Sequence, residues 1–195
     1  MLSLKEKIMP KVLKWILIVL VSLAILLFGL YKWAQSNTKQ HSPEDTVVYQ
    51  QGSWEAEVYY NRPYKKDREI FGGLVPYGEV WRTGANEATT FKTNRALLIA
   101  GDTLPEGKYT LWTIPGAQEW YVIFNDKMYS WGVDFDGKAS RDPEFDALNR
   151  SFPVQRRSVE AEQFTIAFMP QEKGATLNLR WDNVEVGVPL IPLAN

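Results

Sequence analysis

The sequence has no cysteine and only one histidine, His41, and each shortage excludes a class of function. Without cysteine there is no disulfide framework, no Cys-ligated zinc and no thiol nucleophile. A single histidine excludes a multi-histidine metal site, and we predict neither a metal nor a cofactor. His41 lies in a polar segment that cannot hold a catalytic group in place, which argues against Ser-His-Asp chemistry. The formal net charge is −1, and basic residues do not cluster beyond the N-terminus, so nucleic acid is not a predicted partner.

The longest apolar run lies near the N-terminus, where residues 15–31 contain no charge and one polar side chain, Ser22. As a helix this run spans about 25 Å, and its flanks extend it toward the roughly 30 Å of a bilayer core. Lysines are denser before the run than after it. The positive-inside bias therefore predicts a cytoplasmic N-terminus and export of the remainder.

These features divide the chain into four predicted segments. Residues 1–11 are a cytoplasmic N-terminus, 12–33 a transmembrane signal-anchor helix, 34–53 a polar linker and 54–195 an extracytoplasmic β domain. A cleaved signal peptide is the alternative, because small residues follow the apolar run. Residues 34–195 carry 17 basic and 22 acidic side chains, a net charge of −5 that suits an exported soluble domain.

Beyond residue 54 the sequence reads as short strands separated by turn residues. Strands at this spacing, without a long amphipathic helix, predict an all-β fold, an antiparallel β-sandwich or barrel-like domain. Residues 137–160 allow two interpretations. Asp142 followed by Pro143 is typical of a short helix start, whereas residues 147–154 could equally form a strand.

The C-terminal part shows the clearest alternation of apolar and polar residues. We interpret it as a β-hairpin whose two-residue turn is Asp182 and Asn183. In that register Leu179 pairs with Val186. The predicted buried face comprises Leu177, Leu179, Trp181, Val184, Val186 and Val188.

The densest group of unusual residues lies in residues 70–90, which contain four glycines and one proline. These residues favour tight turns and bring chemically different side chains close together in sequence. The candidate polar cluster comprises Arg62, Trp81, Arg82, Thr83, Asn86 and Glu87.

Several segments of the chain resemble the bacterial DUF2911 family, whose members are typically exported. The resemblance rests on residues 60–63, 71–89 and 104–115 and on the closing Trp181-Asp182 pair. It implies export and a compact domain. The family is defined by having no known function, so the resemblance supplies no catalytic residues.

Two interpretations of the cluster remain open. In the structural one, Arg82 and Glu87 form a partly buried ion pair while Asn86 and Thr83 satisfy turn backbone groups. In the functional one, Trp81 floors a polar site in which Arg82 holds an anionic or carbonyl oxygen. Glu87 and Asn86 then bind hydroxyl groups.

The sequence favours a non-enzymatic binding or structural module of the cell envelope, attached to the lipid bilayer by its helix. A glycan, a small molecule or an envelope protein is the expected ligand. The alternative is a glycan-active hydrolase that uses carboxylates in the region of Arg82, Asn86 and Glu87. Glycoside hydrolysis needs two carboxylates on either side of the scissile bond.

We predict that a reporter fused after residue 195 is active only outside the cytoplasm, because the lysine asymmetry keeps the N-terminus inside. Reporter activity is compared with that of a matched reporter that works only in the cytoplasm. Recovery of a soluble mature protein beginning at Asn37 would show cleavage and contradict the anchor.

Overall fold

The computed structural model describes residues 10–134 and 136–194, and the chain divides into two units between residues 40 and 41. The first described element is helix α1, Lys11–His41, which is 31 residues long. Its apolar side chains are exposed, and by length and composition it could be a membrane anchor or a signal sequence. Most of the predicted cytoplasmic segment, residues 1–9, lies outside the described residues.

The second unit is a mostly antiparallel sheet of nine strands in the order β1-β2-β3-β6-β7-β8-β9-β4-β5. Strands β1 and β5 are the two edges, and among the described residues they do not pair with each other, so the sheet is not closed. The sandwich or barrel-like form therefore stays a prediction. The strands are β1 Glu44–Gln51, β2 Trp54–Asn61, β3 Thr90–Thr93, β4 Leu97–Ile99, β5 Asp102–Leu104, β6 Gly107–Pro115, β7 Glu119–Asn125, β8 Asp146–Gln171 and β9 Gly174–Pro192.

The structure corrects the predicted linker 34–53. Helix α1 continues to His41, and β1 occupies most of the remaining linker residues. The β1 side chains alternate between exposed and half-buried, and the strand pairs antiparallel with β2. Residues 46–49, Thr-Val-Val-Tyr, favour a strand. Their polar neighbours concealed this short β-prone run in the sequence.

Burial of tryptophan on both faces of the sheet gives the domain two hydrophobic clusters. Trp120 belongs to the main core, together with Trp54 and Trp181. Trp112 lies in a second, smaller cluster with Ala88 and Ile123. Trp112 and Trp120 are both at most 1 % exposed, so core packing accounts for these two side chains.

The predicted C-terminal hairpin has the correct buried face and the wrong turn. All six side chains of that face are buried. However, β9 runs through Asp182 and Asn183, and the chain reverses between Gln171 and Gly174. Leu179 therefore pairs with Ile166 of β8 instead of Val186. Asp182 has a positive φ of 51° and pairs with a part of β8 where the register shifts. This irregularity changes which side chains of β9 face the core, and the strand continues through it without a turn.

Both interpretations of residues 137–160 hold in adjacent segments. A short 3₁₀ helix, Pro143–Phe145, is capped by Asp142, whose side chain accepts a hydrogen bond from the Glu144 N–H at 3.2 Å. Strand β8 then begins at Asp146.

Side chains at the end of β2 satisfy the backbone edge of β8 beyond the part that pairs with β7, which reaches Pro153. The Tyr60 hydroxyl accepts a hydrogen bond from Ile166 N–H at 3.0 Å and donates to Ile166 C=O at 3.4 Å. Arg62 Nε donates to Phe164 C=O at 3.3 Å. We call Tyr60 and Arg62 the β2 clasp.

The β2 clasp is reinforced on both sides of Arg62. Arg62 also forms an ion pair with Asp45 of β1 at 3.0 Å and donates to the Thr165 hydroxyl at 3.1 Å. Phe164 N–H donates to Pro63 C=O at 2.9 Å. Burial raises the pKa of Tyr60, which keeps its hydroxyl protonated and able to donate.

We expect Tyr60→Phe to lower the free energy of unfolding by about 1–3 kcal/mol, because it removes the partner of two buried backbone groups. Urea unfolding of the full chain measures the change. The control is Tyr121→Phe, whose side chain is 45 % exposed and should change stability by less than about 0.5 kcal/mol. Equal effects of the two substitutions would contradict the clasp.

Candidate functional site

The polar cluster predicted from the sequence lies mainly on residues 82–89, which we call the Arg82 loop. On one side of it, Trp81 exchanges two backbone hydrogen bonds with Thr113 of β6, at 2.7 and 3.0 Å. On the other side, Leu111 N–H donates to Thr89 C=O at 2.8 Å. The residues at both ends of the loop therefore pair with β6, and the loop bulges out between them.

The backbone of the Arg82 loop is tightly constrained. Thr83 has a φ of 55°, an uncommon conformation for a β-branched residue, and its buried hydroxyl contacts that of Thr113 at 3.2 Å. The Thr89 hydroxyl donates to Thr83 C=O at 2.7 Å. A Cβ added at Gly84 would lie 2.9 Å from the Asn61 carbonyl oxygen, so the loop packs against the end of β2.

Asn61, which the sequence interpretation missed, connects the polar side chains of the loop. It is fully buried at the end of β2. Its Oδ1 accepts a hydrogen bond from Asn86 Nδ2 at 3.3 Å, and its Nδ2 donates to Glu87 Oε2 at 3.0 Å. Its position beside Arg62, within the motif of residues 60–63 that carries the family resemblance, is the sequence signal for it.

The proposed structural ion pair between Arg82 and Glu87 is wrong: the ion pairs of the described residues do not include it. Glu87 instead accepts a hydrogen bond from Asn61. Arg82 is half-buried, and its Nε is a buried donor without an acceptor in the described part of the chain. Burial lowers the pKa of Arg82.

Gly132 covers the side chain of Arg82. A Cβ at Gly132 would lie 2.2 Å from Arg82 Cδ and 2.7 Å from its Cβ, so only glycine fits this approach. The Gly132 N–H also donates to Asn86 C=O at 3.0 Å. We call residues 131–134 the Gly132 segment; it brings Arg82 and Asn86 against one stretch of backbone.

Trp81 packs against the aromatic side chains of the core and does not form the open floor of a site that the functional interpretation predicted. Its half-buried ring packs against Phe164 at a centroid distance of 5.0 Å and lies nearly parallel to Trp181 at 5.9 Å. Its Nε1 donates to Gly84 C=O at 3.0 Å, which fastens the Arg82 loop to the core.

Arg62 was predicted to belong to the polar cluster, but its side chain hydrogen-bonds to β1 and β8 and, among the described residues, not to the Arg82 loop. Its guanidinium is engaged in the β2 clasp, with Asp45, Phe164 and Thr165. Within residues 10–134 and 136–194, no group of three or more Asp, Glu or His side chains is placed to hold a metal ion.

The chain belongs to the DUF2911 family, described as a protein of unknown function. The family model matches residues 42–190, which include β1, the β2 clasp and the Arg82 loop. No curated protein and no solved structure shows a significant match to the chain.

We expect Gly132→Ala to destabilise the domain by about 1–3 kcal/mol, because the new methyl group overlaps the Arg82 side chain. In an Arg82→Ala background the overlap with Cδ is gone, so the same change should cost less. Urea unfolding of the wild type, both single variants and the double variant measures the coupling. Additive effects would show that the Gly132 segment does not pack on Arg82.

Proposed function

We propose that this protein is a single-pass membrane protein whose β domain is a binding module on the extracytoplasmic side, the periplasm of a bacterial envelope. Support comes from the exposed apolar helix near the N-terminus and from the lysine asymmetry around it. Membership of a family without an assigned activity is consistent with this role. The module is non-enzymatic, and the Arg82 loop is its binding site.

The observation that carries the proposed binding role is the buried, unpartnered Nε of Arg82. Withdrawing this N–H from water without an acceptor is unfavourable, because the lost hydration is not replaced. A residue that lowers stability in the free protein is typical of a functional site, where a ligand supplies the missing interaction. In this view Arg82 contributes to binding and not to folding.

The rigidity of the surrounding groups also supports binding. Asn61 orients Asn86 and Glu87 through two hydrogen bonds, and the strained Thr83 is held in place by Thr89. Polar groups fixed in this way lose little conformational entropy when a ligand arrives. Asn61, Thr83 and Thr89 are fully buried, so Glu87 and the edge of Asn86 are the groups that meet hydroxyl groups beside the Arg82 cation.

The hydrolase alternative stays a prediction. The Arg82 loop contains one carboxylate, that of Glu87, and one of its oxygens accepts a hydrogen bond from Asn61. Hydrolysis of a glycoside would need a second carboxylate on the opposite side of the substrate bond. The single carboxylate of the loop therefore favours binding over catalysis.

We expect Arg82→Met to melt at the same temperature as the wild type or above it, since methionine keeps the packed stem and removes the unpartnered cation. The matched control is Arg62→Met, which breaks the β2 clasp and should lower stability by about 1–3 kcal/mol. Calorimetry of the full chain in detergent micelles gives both values. Equal destabilisation by the two variants would make Arg82 structural and overturn the proposed site.

A further inference from the structure

We propose that the Arg82 loop binds a carboxylate-bearing ligand with neighbouring hydroxyl groups, such as a sugar acid, and that Arg82 holds the carboxylate. This inference rests on the proposed binding function and names the chemical class of its ligand.

Every other arginine has an oxygen partner for its guanidinium. Five of them lie within 4.0 Å of a carboxylate, and three more donate to carbonyl, hydroxyl or amide oxygens. The Nε of Arg180 is also buried without a hydrogen-bond acceptor, but another nitrogen of its guanidinium donates to Val159 C=O at 2.7 Å. Within the described residues, Arg82 alone has neither kind of partner for any of its nitrogens, although it is half-buried. The partnered arginines are Arg62, Arg141, Arg150, Arg157 and Arg180 with carboxylates and Arg68, Arg95 and Arg156 with other oxygens.

A carboxylate fits the vacant donors of Arg82 better than other anions do. The planar guanidinium matches the two oxygens of a carboxylate in a bidentate arrangement. A phosphate dianion would bring twice the charge into a loop that also carries Glu87 and into a region, residues 34–195, of net charge −5. A singly charged ligand meets less repulsion.

The groups beside Arg82 define the rest of the ligand. The Gly132 segment contacts the Arg82 stem and hydrogen-bonds the Asn86 backbone, so these residues adjoin, and Glu87 follows directly. The half-buried Glu87 carboxylate can accept a hydrogen bond from a hydroxyl group, and the Asn86 amide, 8 % exposed and bonded to Asn61 through Nδ2, keeps its oxygen as a further acceptor. The Arg82 Nε is buried, so a carboxylate that reaches it has to move neighbouring atoms, and the Gly132 amide beside the Arg82 stem reports that movement.

Nuclear magnetic resonance of the ¹⁵N-labelled full chain in detergent micelles tests this inference. The probes are sodium acetate, sodium glucuronate, glucose and sodium phosphate at constant ionic strength, each up to about 100 mM, which detects millimolar dissociation constants. The readouts are the Arg82 Nε–Hε signal, assigned by its loss in Arg82→Met, and the Gly132 amide signal. Arg62 and Arg150 Nε–Hε signals are the internal controls.

We expect saturable shifts of both readouts with glucuronate, weaker ones with acetate and none with glucose, while the control signals stay in place. Affinity for glucuronate should fall at least about tenfold in Arg82→Met. Absence of saturation with both carboxylates, or tighter binding of phosphate, would overturn the ligand class and leave the binding module intact. Melting of Arg82→Met as low as that of Arg62→Met would instead remove the binding site itself.

Discussion

The β domain depends on the β2 clasp, in which two side chains and a short antiparallel bridge between Tyr64 and Gln163 stand in for a missing strand. Beyond Pro153 the edge of β8 has no β7 partner, and buried edge groups must find other acceptors and donors. Tyr60 and Arg62 provide them from the end of β2. Asn61 lies between these residues, and successive strand side chains point to opposite faces. The residues that fasten β2 to β8 therefore also fix Asn61 toward the Arg82 loop.

Much of the fold follows from apolar alternation, which the sequence displays directly. The burial of Leu179 and its neighbours was predictable because side-chain direction is a local property. Which strand faces Leu179 was not. A two-residue turn and an irregularity at Asp182 produce the same change of alternation in the sequence, and only long-range pairing with β8 distinguishes them. Strand β1 was not predicted for a related reason: its polar flanking residues favour a linker, and only the pairing with β2 makes the segment a strand.

The candidate site was partly predictable, because unusual turn residues concentrate in residues 70–90. The partners within it were not. Five positions separate Arg82 from Glu87, and an ion pair was a reasonable prediction for opposite charges on one turn. The structure instead links Glu87 to Asn61, 26 positions earlier, and places Gly132 over Arg82. Such contacts are set by packing between distant segments, which spacing along the chain does not report.

The separation of the clasp residues along the chain has a consequence for how the domain folds. Tyr60 and Ile166 lie 106 positions apart, so their contact cannot form until nearly the whole domain has been synthesised. Closing so long a loop is entropically slow, and domains dominated by distant pairings fold over milliseconds to seconds. The end of β2 thus acquires its final order late, and so does the start of the Arg82 loop, because Trp81 packs against Phe164 and Trp181. During synthesis this region therefore stays incompletely folded until the C-terminal strands have been made.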